Sequence, residues 1–176
     1  MLVLVAILVL ALAALLVFAS TKPAVFSVRR GTVIRATPER VFGYVDDFRR
    51  WPEWSPWETR DPAMQRNLGG ASSGAGAIYE WNGNKDVGQG RMEIVESTPS
   101  SRIAISLHFI KPFEANNMAT FTFAADDDMT VVDWVMHGPN RFASKVMQVF
   151  MDMDRMIGKD FEAGLAKLKA AAEAAR

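Results

Sequence analysis

The sequence predicts an α+β fold, in which an antiparallel sheet packs against one long C-terminal helix and an apolar segment of membrane-spanning length precedes both. Three observations support this prediction. Residues 2–19 contain no polar side chain, much of 26–137 consists of strand-like runs separated by turns, and 141–172 carry a helical stripe of apolar residues. The length of 176 residues favours one ordinary domain after the apolar segment.

The apolar segment reads LVLVAILVLALAALLVFA over residues 2–19. A helix of this length rises about 27 Å, close to the hydrocarbon thickness of about 30 Å. A secretory signal requires a basic region before its apolar segment, and only Met1 precedes Leu2. Val17 and Ala19 nevertheless offer small residues for signal cleavage. We expect residues 1–20 to be a transmembrane anchor, with a signal sequence as the alternative, followed by a tether at 21–25 and a domain at 26–174.

The flanking charges predict the side of the membrane. Lys22, Arg29, Arg30 and Arg35 follow the apolar segment, and no acidic residue occurs before Glu39. The positive-inside rule then places the domain in the cytoplasm. If the segment is instead a signal that is cleaved, the domain is exported.

The composition excludes several classes of function. Lys+Arg and Asp+Glu are both 20, so no basic field attracts nucleic acid. The absence of cysteine excludes a disulfide scaffold, a thiol nucleophile and a thiolate zinc site. His108 and His137 are the only histidines and have no metal-ligand spacing. We therefore expect no metal and no cofactor; the oligomeric state is left open.

Local patterns predict the elements of the domain. Thr37, Pro38 and Glu39 suit the N-cap and first turn of a short helix. Around it, apolar alternation and turn residues predict strands, and GGASSGAG at 69–76 predicts a loop. The predicted strands are 26–36, 77–81, 90–96, 102–110, 118–124 and a last one containing Val132, Trp134 and Met136.

The C-terminal helix begins near Arg141 and continues to the end of the chain. Its stripe must be buried, and the concave face of a twisted sheet is the only partner large enough. Such packing leaves space for a ligand cavity between sheet and helix. Gly158 and Gly164 each cost about 1 kcal/mol relative to alanine, which indicates close approach of the sheet or a ligand. The stripe consists of Val146, Phe150, Met153, Ile157, Phe161, Leu165 and Leu168.

Four segments of the domain are TPERVF at 37–42, DFRRWPEWSPW at 47–57, YEWNGN at 79–84 and FMDMDRMIGKDFEAGL at 150–165. In this order they resemble the polyketide cyclase/dehydrase-like branch of the START-domain (SRPBCC) superfamily. The resemblance covers about residues 26–172. It implies a helix-grip (START/Bet v 1-like) fold, in which a curved antiparallel sheet of about seven strands wraps the C-terminal helix around a hydrophobic pocket.

The resemblance leaves three functions open. The first is binding of a small hydrophobic ligand, lipid-like or aromatic, by a domain held at the membrane through residues 2–19. The second is a cofactor-independent cyclase or dehydratase acting on a polyketide-like substrate. The third is a protein-interaction or stress-related module. The many apolar residues and the lack of a recognisable set of catalytic residues favour the first function, ligand binding.

The stretch FRRWPEWSPW at 48–57 holds three of the five tryptophans. Its rings are candidates for a ligand wall, for packing of the short helices, or for contact with a membrane interface. We expect Trp51 and Trp54 mainly to pack and Trp57 to be the freest to meet a ligand or the membrane.

Candidate site residues follow from the predicted faces. Asp152 and Asp154 flank the apolar stripe, where a polar group facing the pocket and a solvated, ion-paired flank are both possible. His108, Asp133 and Asp154 are the candidates for acid–base catalysis, although a solvent-facing histidine is the more common case on a strand. The candidate ligand-binding residues are Trp54, Trp57, Tyr79, Trp81, Phe109, Trp134, Phe150, Met153 and Ile157.

Overall fold

A computed structural model describes residues 1–174 of the chain. Seven antiparallel strands form one sheet in the order β1-β7-β6-β5-β4-β3-β2, so that the first strand pairs with the last. The helices are α1 (Leu2–Ser20), α2 (Pro38–Asp46), α3 (Phe142–Phe150) and α4 (Met153–Ala174), with a 3-10 helix at Phe48–Glu53. The strands are β1 (Val25–Ile34), β2 (Gln65–Gly70), β3 (Ala77–Asn82), β4 (Gln89–Thr98), β5 (Arg102–Lys111), β6 (Ala115–Asp126) and β7 (Met129–Pro139).

This architecture confirms the predicted α+β, helix-grip fold. Helix α4 packs on the inner face of the sheet next to β1 and contacts α2 and the 3-10 helix. It buries Phe161, Leu165 and Leu168, which form the C-terminal part of the predicted stripe, and also Ala172. The hydrophobic core therefore lies between α4, the short helices and the concave side of the sheet.

The strand β2 was not predicted, because its sequence carries no strand signal. Every residue of Gln65–Gly70 is exposed, so selection for burial imposes no alternation of apolar and polar residues. The segment pairs with β3 through backbone hydrogen bonds and forms the edge of the sheet. Gly69 and Gly70 thus belong to a strand, and the predicted loop is shorter than 69–76.

The prediction of one continuous helix from Arg141 was wrong. Met151 adopts an extended conformation with φ −128° and ψ 128° and separates α3 from α4. The carboxylate of Asp152 accepts a hydrogen bond from the backbone N–H of Arg155 at 3.0 Å, as an N-cap residue does at the start of a new helix. The final two residues of the predicted helix lie outside the described part of the chain.

Helix α1 is long and apolar enough to cross a membrane, by length and composition, and no other helix among residues 1–174 is. These properties fit a membrane anchor or a signal sequence. Helix α3 packs against α1. Within α1, Leu15 is half-buried and Ala19, one helical turn later, is buried, whereas the other residues are exposed.

Candidate functional site

An aromatic cluster fills the interior between the sheet and α4. The ring of Trp134 on β7 stacks on Phe161 of α4, with centroids 3.9 Å apart and planes at 5°. On its other side, Phe121 of β6 is stacked at 4.7 Å. Trp54 and Trp57 meet the Trp134 ring edge-on, each with a centroid distance of 5.7 Å. The predicted space between sheet and helix is therefore occupied at its centre by aromatic side chains.

The three tryptophans of the 48–57 stretch divide as the sequence predicts. Trp51 and Trp54 are buried, and their indole N–H groups donate to the backbone oxygens of Val45 at 3.0 Å and Tyr44 at 2.9 Å. These bonds hold the 3-10 helix onto α2. Because Trp51 and Trp54 are buried, contact of these two rings with a membrane interface is excluded. Trp57 is half-buried against the core.

The indole N–H of Trp134 has no partner. Among residues 1–174 it is the one buried side-chain nitrogen or oxygen without a hydrogen bond, and the side chain is 3% exposed. An unpaired buried donor of this kind costs about 1–3 kcal/mol. Trp134 therefore presents an unused hydrogen-bond donor inside the apolar core.

Tyr79, a predicted ligand contact, belongs to a separate polar group. Its hydroxyl donates to Glu58 at 2.5 Å, and Arg66 donates to the other oxygen of the same carboxylate at 2.6 Å. Burial raises the pKa of Tyr79, and the hydrogen bond to Glu58 raises it further. The hydroxyl thus stays protonated and serves to hold a buried carboxylate.

Trp81 and Phe109 pack near Tyr79, away from the centre of the core. Their rings are 5.7 Å apart on the inner face, on the two sides of Gly90, and the Trp81 indole donates to the backbone oxygen of Val87 at 3.1 Å. Gly90, opposite Trp81 in the next strand, leaves room for this ring. The two residues close the interior at the β3–β4 end.

Asp154, a predicted catalytic residue, forms an ion pair with an arginine from the sheet. Arg30 lies on the inner face of β1 and donates to both carboxylate oxygens of Asp154, at 3.1 and 3.0 Å, and to Glu162 at 2.7 Å. The hydrogen bond from Arg30 lowers the pKa of Asp154. Asp154 is thus held ionised, which leaves no proton to donate near neutral pH.

The catalytic candidates His108 and Asp133 lie on the outer face of the sheet. Asp133 receives two hydrogen bonds from Arg29, at 3.0 and 2.9 Å, and His108 lies 3.6 Å from Glu114. Neighbouring inner-face residues such as Trp134 and Phe109 point the other way. Neither candidate faces the interior, so the geometry gives no support to acid–base catalysis there.

A cleft of about 660 Å³ lies where β1 faces the junction of α3 and α4. Phe150 and Met153, two predicted ligand contacts, line it, and Lys22 and Pro23 place its rim directly after α1. Ile157 packs against the neighbouring core. The lining is Lys22, Pro23, Val25, Phe26, Ser27, Val28, Asn140, Gln148, Val149, Phe150, Met151, Asp152, Met153 and Asp154.

A pair of amides belongs to this mixed lining, which also includes Lys22, Asp152 and Asp154. Asn140 and Gln148 exchange hydrogen bonds at 3.2 and 2.8 Å, and the Asn140 amide also donates to the backbone oxygen of Pro23 at 3.0 Å. The pair joins the end of β7, α3 and the tether. Sequence reasoning missed Asn140 and Gln148, because Asn140 is brought to Pro23, 117 positions away, only by the tertiary fold.

The predicted ligand contacts therefore fall into three places. Trp54, Trp57 and Trp134 form the central aromatic cluster; Tyr79, Trp81 and Phe109 lie at the β3–β4 end; Phe150 and Met153 line the cleft, and Ile157 lies beside it. A smaller depression of about 150 Å³ lies at the other edge of the sheet, between the 3-10 helix and β2. The cleft is the larger of the two, and its walls combine apolar with polar side chains.

Comparison with known proteins agrees with the architecture. A family model described as "Polyketide cyclase / dehydrase and lipid transport" matches residues 25–173. No curated protein matches the chain.

Solved structures share the fold at low sequence identity. Protein CV1439 from Chromobacterium violaceum is 17% identical with a TM-score of 0.61, covering 84% of this chain and 96% of its own. Mll3558 from Rhizobium loti is 14% identical with a TM-score of 0.60, covering 83% and 96%. Ara h 8.0201 is 11% identical with a TM-score of 0.56, covering 85% and 96%.

Proposed function

Since the chain belongs to the polyketide cyclase/dehydrase and lipid transport family, we propose that it binds a small hydrophobic, lipid-like or aromatic ligand as a membrane-anchored domain. The observation that carries the proposal is the cleft between β1 and the α3–α4 junction. Its volume lies within the range of about 300–1,000 Å³ that ligand sites occupy.

The lining of the cleft supports a ligand that is largely apolar. Phe26, Val149, Phe150 and Met153 provide apolar and adaptable surface. The Asn140–Gln148 amide pair offers a fixed polar position. Because Lys22, Ser27 and Asp152 also line the cleft, this combination suits a molecule with an apolar body and a polar end.

The test uses the full chain, purified in detergent, and identifies co-purifying small molecules by mass spectrometry. Val149→Trp places a bulky ring in the cleft, whereas Val95→Trp places the same ring at an exposed position on β4. Both variants retain α1 and its surrounding lipids. We expect one species that is present in the wild-type chain and in Val95→Trp and is lost from Val149→Trp. Identical small-molecule content in all three proteins would contradict the proposal and favour a protein-interaction module.

The anchor is proposed to cross the membrane through residues 2–19, with the domain in the cytoplasm. Three of the four basic residues behind this orientation belong to or adjoin the folded domain: Arg29 and Arg30 pair with carboxylates, and the backbone of Arg35 binds Glu173. The cytoplasmic orientation predicted by the positive-inside rule therefore depends mainly on Lys22.

The anchor is tested by determining the N-terminus of the membrane-bound protein. Retention of residues 1–20 in a chain that resists alkaline extraction supports an anchor, and a mature chain that begins after Ala19 shows a signal sequence. The side of the membrane is read from Asp128→Cys, an exposed position in a chain without cysteine. A membrane-impermeant maleimide should label this cysteine only after the cells are permeabilised.

A further inference from the structure

Helix α3 exposes apolar side chains that the domain does not cover. None of its residues is buried, Phe150 is 73% exposed and Phe142 is 53% exposed. Ala143, Met147 and Phe150 are spaced by four and three residues, so they share one exposed side of the helix. An exposed apolar side with this arrangement marks a surface that another apolar phase covers.

The position of α3 relative to α1 identifies that phase. Helix α3 packs against α1, and only Leu15 and Ala19 of α1 are shielded. With a rise of 1.5 Å per residue, these two residues lie within roughly 8 Å of the end of the apolar segment at Ser20. If α1 crosses the membrane, the contact with α3 is therefore at the depth of the headgroups and outermost acyl carbons.

The charges on α3 agree with this depth. Arg141 precedes the helix, and Lys145 lies about 160° around the helix from Ala143. Lys22, directly after α1, adds a third cation near the same level. Apolar residues on one side and cations on the other are typical of helices that lie in the plane of an anionic interface, about 5–10 Å deep.

We propose that α3 lies in the interfacial layer of an anionic bilayer, with Ala143, Met147 and Phe150 toward the acyl chains. The proposal rests on the anchor role proposed for α1 and adds a second membrane contact. Because Phe150 and Met151 also line the cleft, the mouth of the cleft then opens at the membrane surface. A ligand that partitions into the bilayer can enter without crossing water.

The experiment measures the depth of α3 in the full chain. The protein has no cysteine, so single cysteines at Met147→Cys and Phe150→Cys can carry a nitroxide spin label without background. The chain is placed, one copy per disc, in nanodiscs of phosphatidylcholine and phosphatidylglycerol. Label accessibility is measured with oxygen, which concentrates in lipid, and with a nickel chelate, which stays in water.

The control is Asp128→Cys on the β6–β7 hairpin. Strand β7 separates this exposed position from α3, and its eleven residues span on the order of 30 Å. We expect the oxygen-to-nickel accessibility ratio to be several-fold higher at 147 and 150 than at 128, and to fall when Lys145→Glu is added.

Two results would overturn the proposal. Labels at 147 and 150 with the same ratio as the label at 128 would show that α3 faces water. Labels shielded from both reagents would show that α3 is covered by protein. Either result would refute the membrane position of α3 without refuting ligand binding. Ligand binding is tested separately by the Val149→Trp experiment, which does not depend on the depth of α3. Circular dichroism of each labelled variant verifies that the helices are intact.

Discussion

Gly158 of α4 lies directly against the guanidinium group of Arg30 on β1, and a methyl group at position 158 would overlap that group. The absence of a side chain lets Arg30 reach Asp154 and Glu162, which lie one turn before and one turn after Gly158. The close approach that the sequence indicates at this glycine is therefore an approach of the sheet. Gly164 has the same role against Trp134 and Pro56.

Gly158→Ala should lower the unfolding midpoint of the full chain in detergent, followed by tryptophan fluorescence. Alanine gains about 1 kcal/mol in helix propensity, but here it displaces Arg30 from its two carboxylates. The matched control is Gly43→Ala in α2, where the nearest atom is 3.8 Å from the new methyl group, and it should raise the midpoint.

A double variant isolates the cause of this effect. In an Arg30→Ala background the steric conflict is gone, so Gly158→Ala should become stabilising by about 1 kcal/mol. The same effect of Gly158→Ala in both backgrounds would contradict the role assigned to Arg30.

Asp154→Asn should destabilise the chain at neutral pH but not at strongly acidic pH. The pKa of Asp154 is lowered in the folded state by its hydrogen bonds from Arg30, so the pair stabilises the fold above the unfolded pKa of about 3.9. This contribution is lost as the pH falls through the lower, folded pKa. Thermal midpoints of wild-type and variant should therefore begin to converge below about pH 4 and meet below the folded pKa, with Asp128→Asn as the control for loss of one charge. A constant difference would argue against the ion pair.

Trp134→Phe should cost less stability than Trp54→Phe. Both rings are buried, so the loss of volume is similar. Trp54→Phe also leaves the backbone oxygen of Tyr44 without its donor, whereas Trp134→Phe removes an N–H group that has no partner. We expect a difference of about 1–3 kcal/mol in the free energy of unfolding. Equal losses would mean that the Trp134 N–H is satisfied in solution.

Tyr79 should keep its proton above pH 10 in the folded chain, because burial and Glu58 raise its pKa from the ordinary value of 10.0. The unfolded chain releases this proton near pH 10, so the stabilisation is present below that pH and is lost as the pH rises further. Tyrosinate absorbance during alkaline titration measures the effect. As long as the chain stays folded, wild-type and Tyr79→Phe should show the same absorbance; an extra signal near pH 10 from the wild-type chain would contradict the burial of Tyr79.

Local sequence pattern predicts the elements of this chain that bury one face. Alternation in Arg102–Lys111 and the spacing of Phe161, Leu165 and Leu168 predicted β5 and the buried side of α4, because burial on one face imposes a period on the sequence. Strand β2 has no buried face, so its sequence shows no alternation of apolar and polar residues. The α3–α4 break was missed because Asp152 fits a solvated helix flank as well as an N-cap.

The amino-acid sequence by itself determined the apolar N-terminal helix and the α+β class. It also determined that Trp51 and Trp54 pack in the core whereas Trp57 is only half-buried. Each of these depends on the hydrophobicity and spacing of neighbouring residues. Only the tertiary structure decided that Arg30 holds Asp154, that Trp134 has an unpaired N–H, and that a cleft opens beside α1. These depend on residues far apart in sequence, 124 positions in the case of Arg30 and Asp154, and local periodicity carries no information on such pairs.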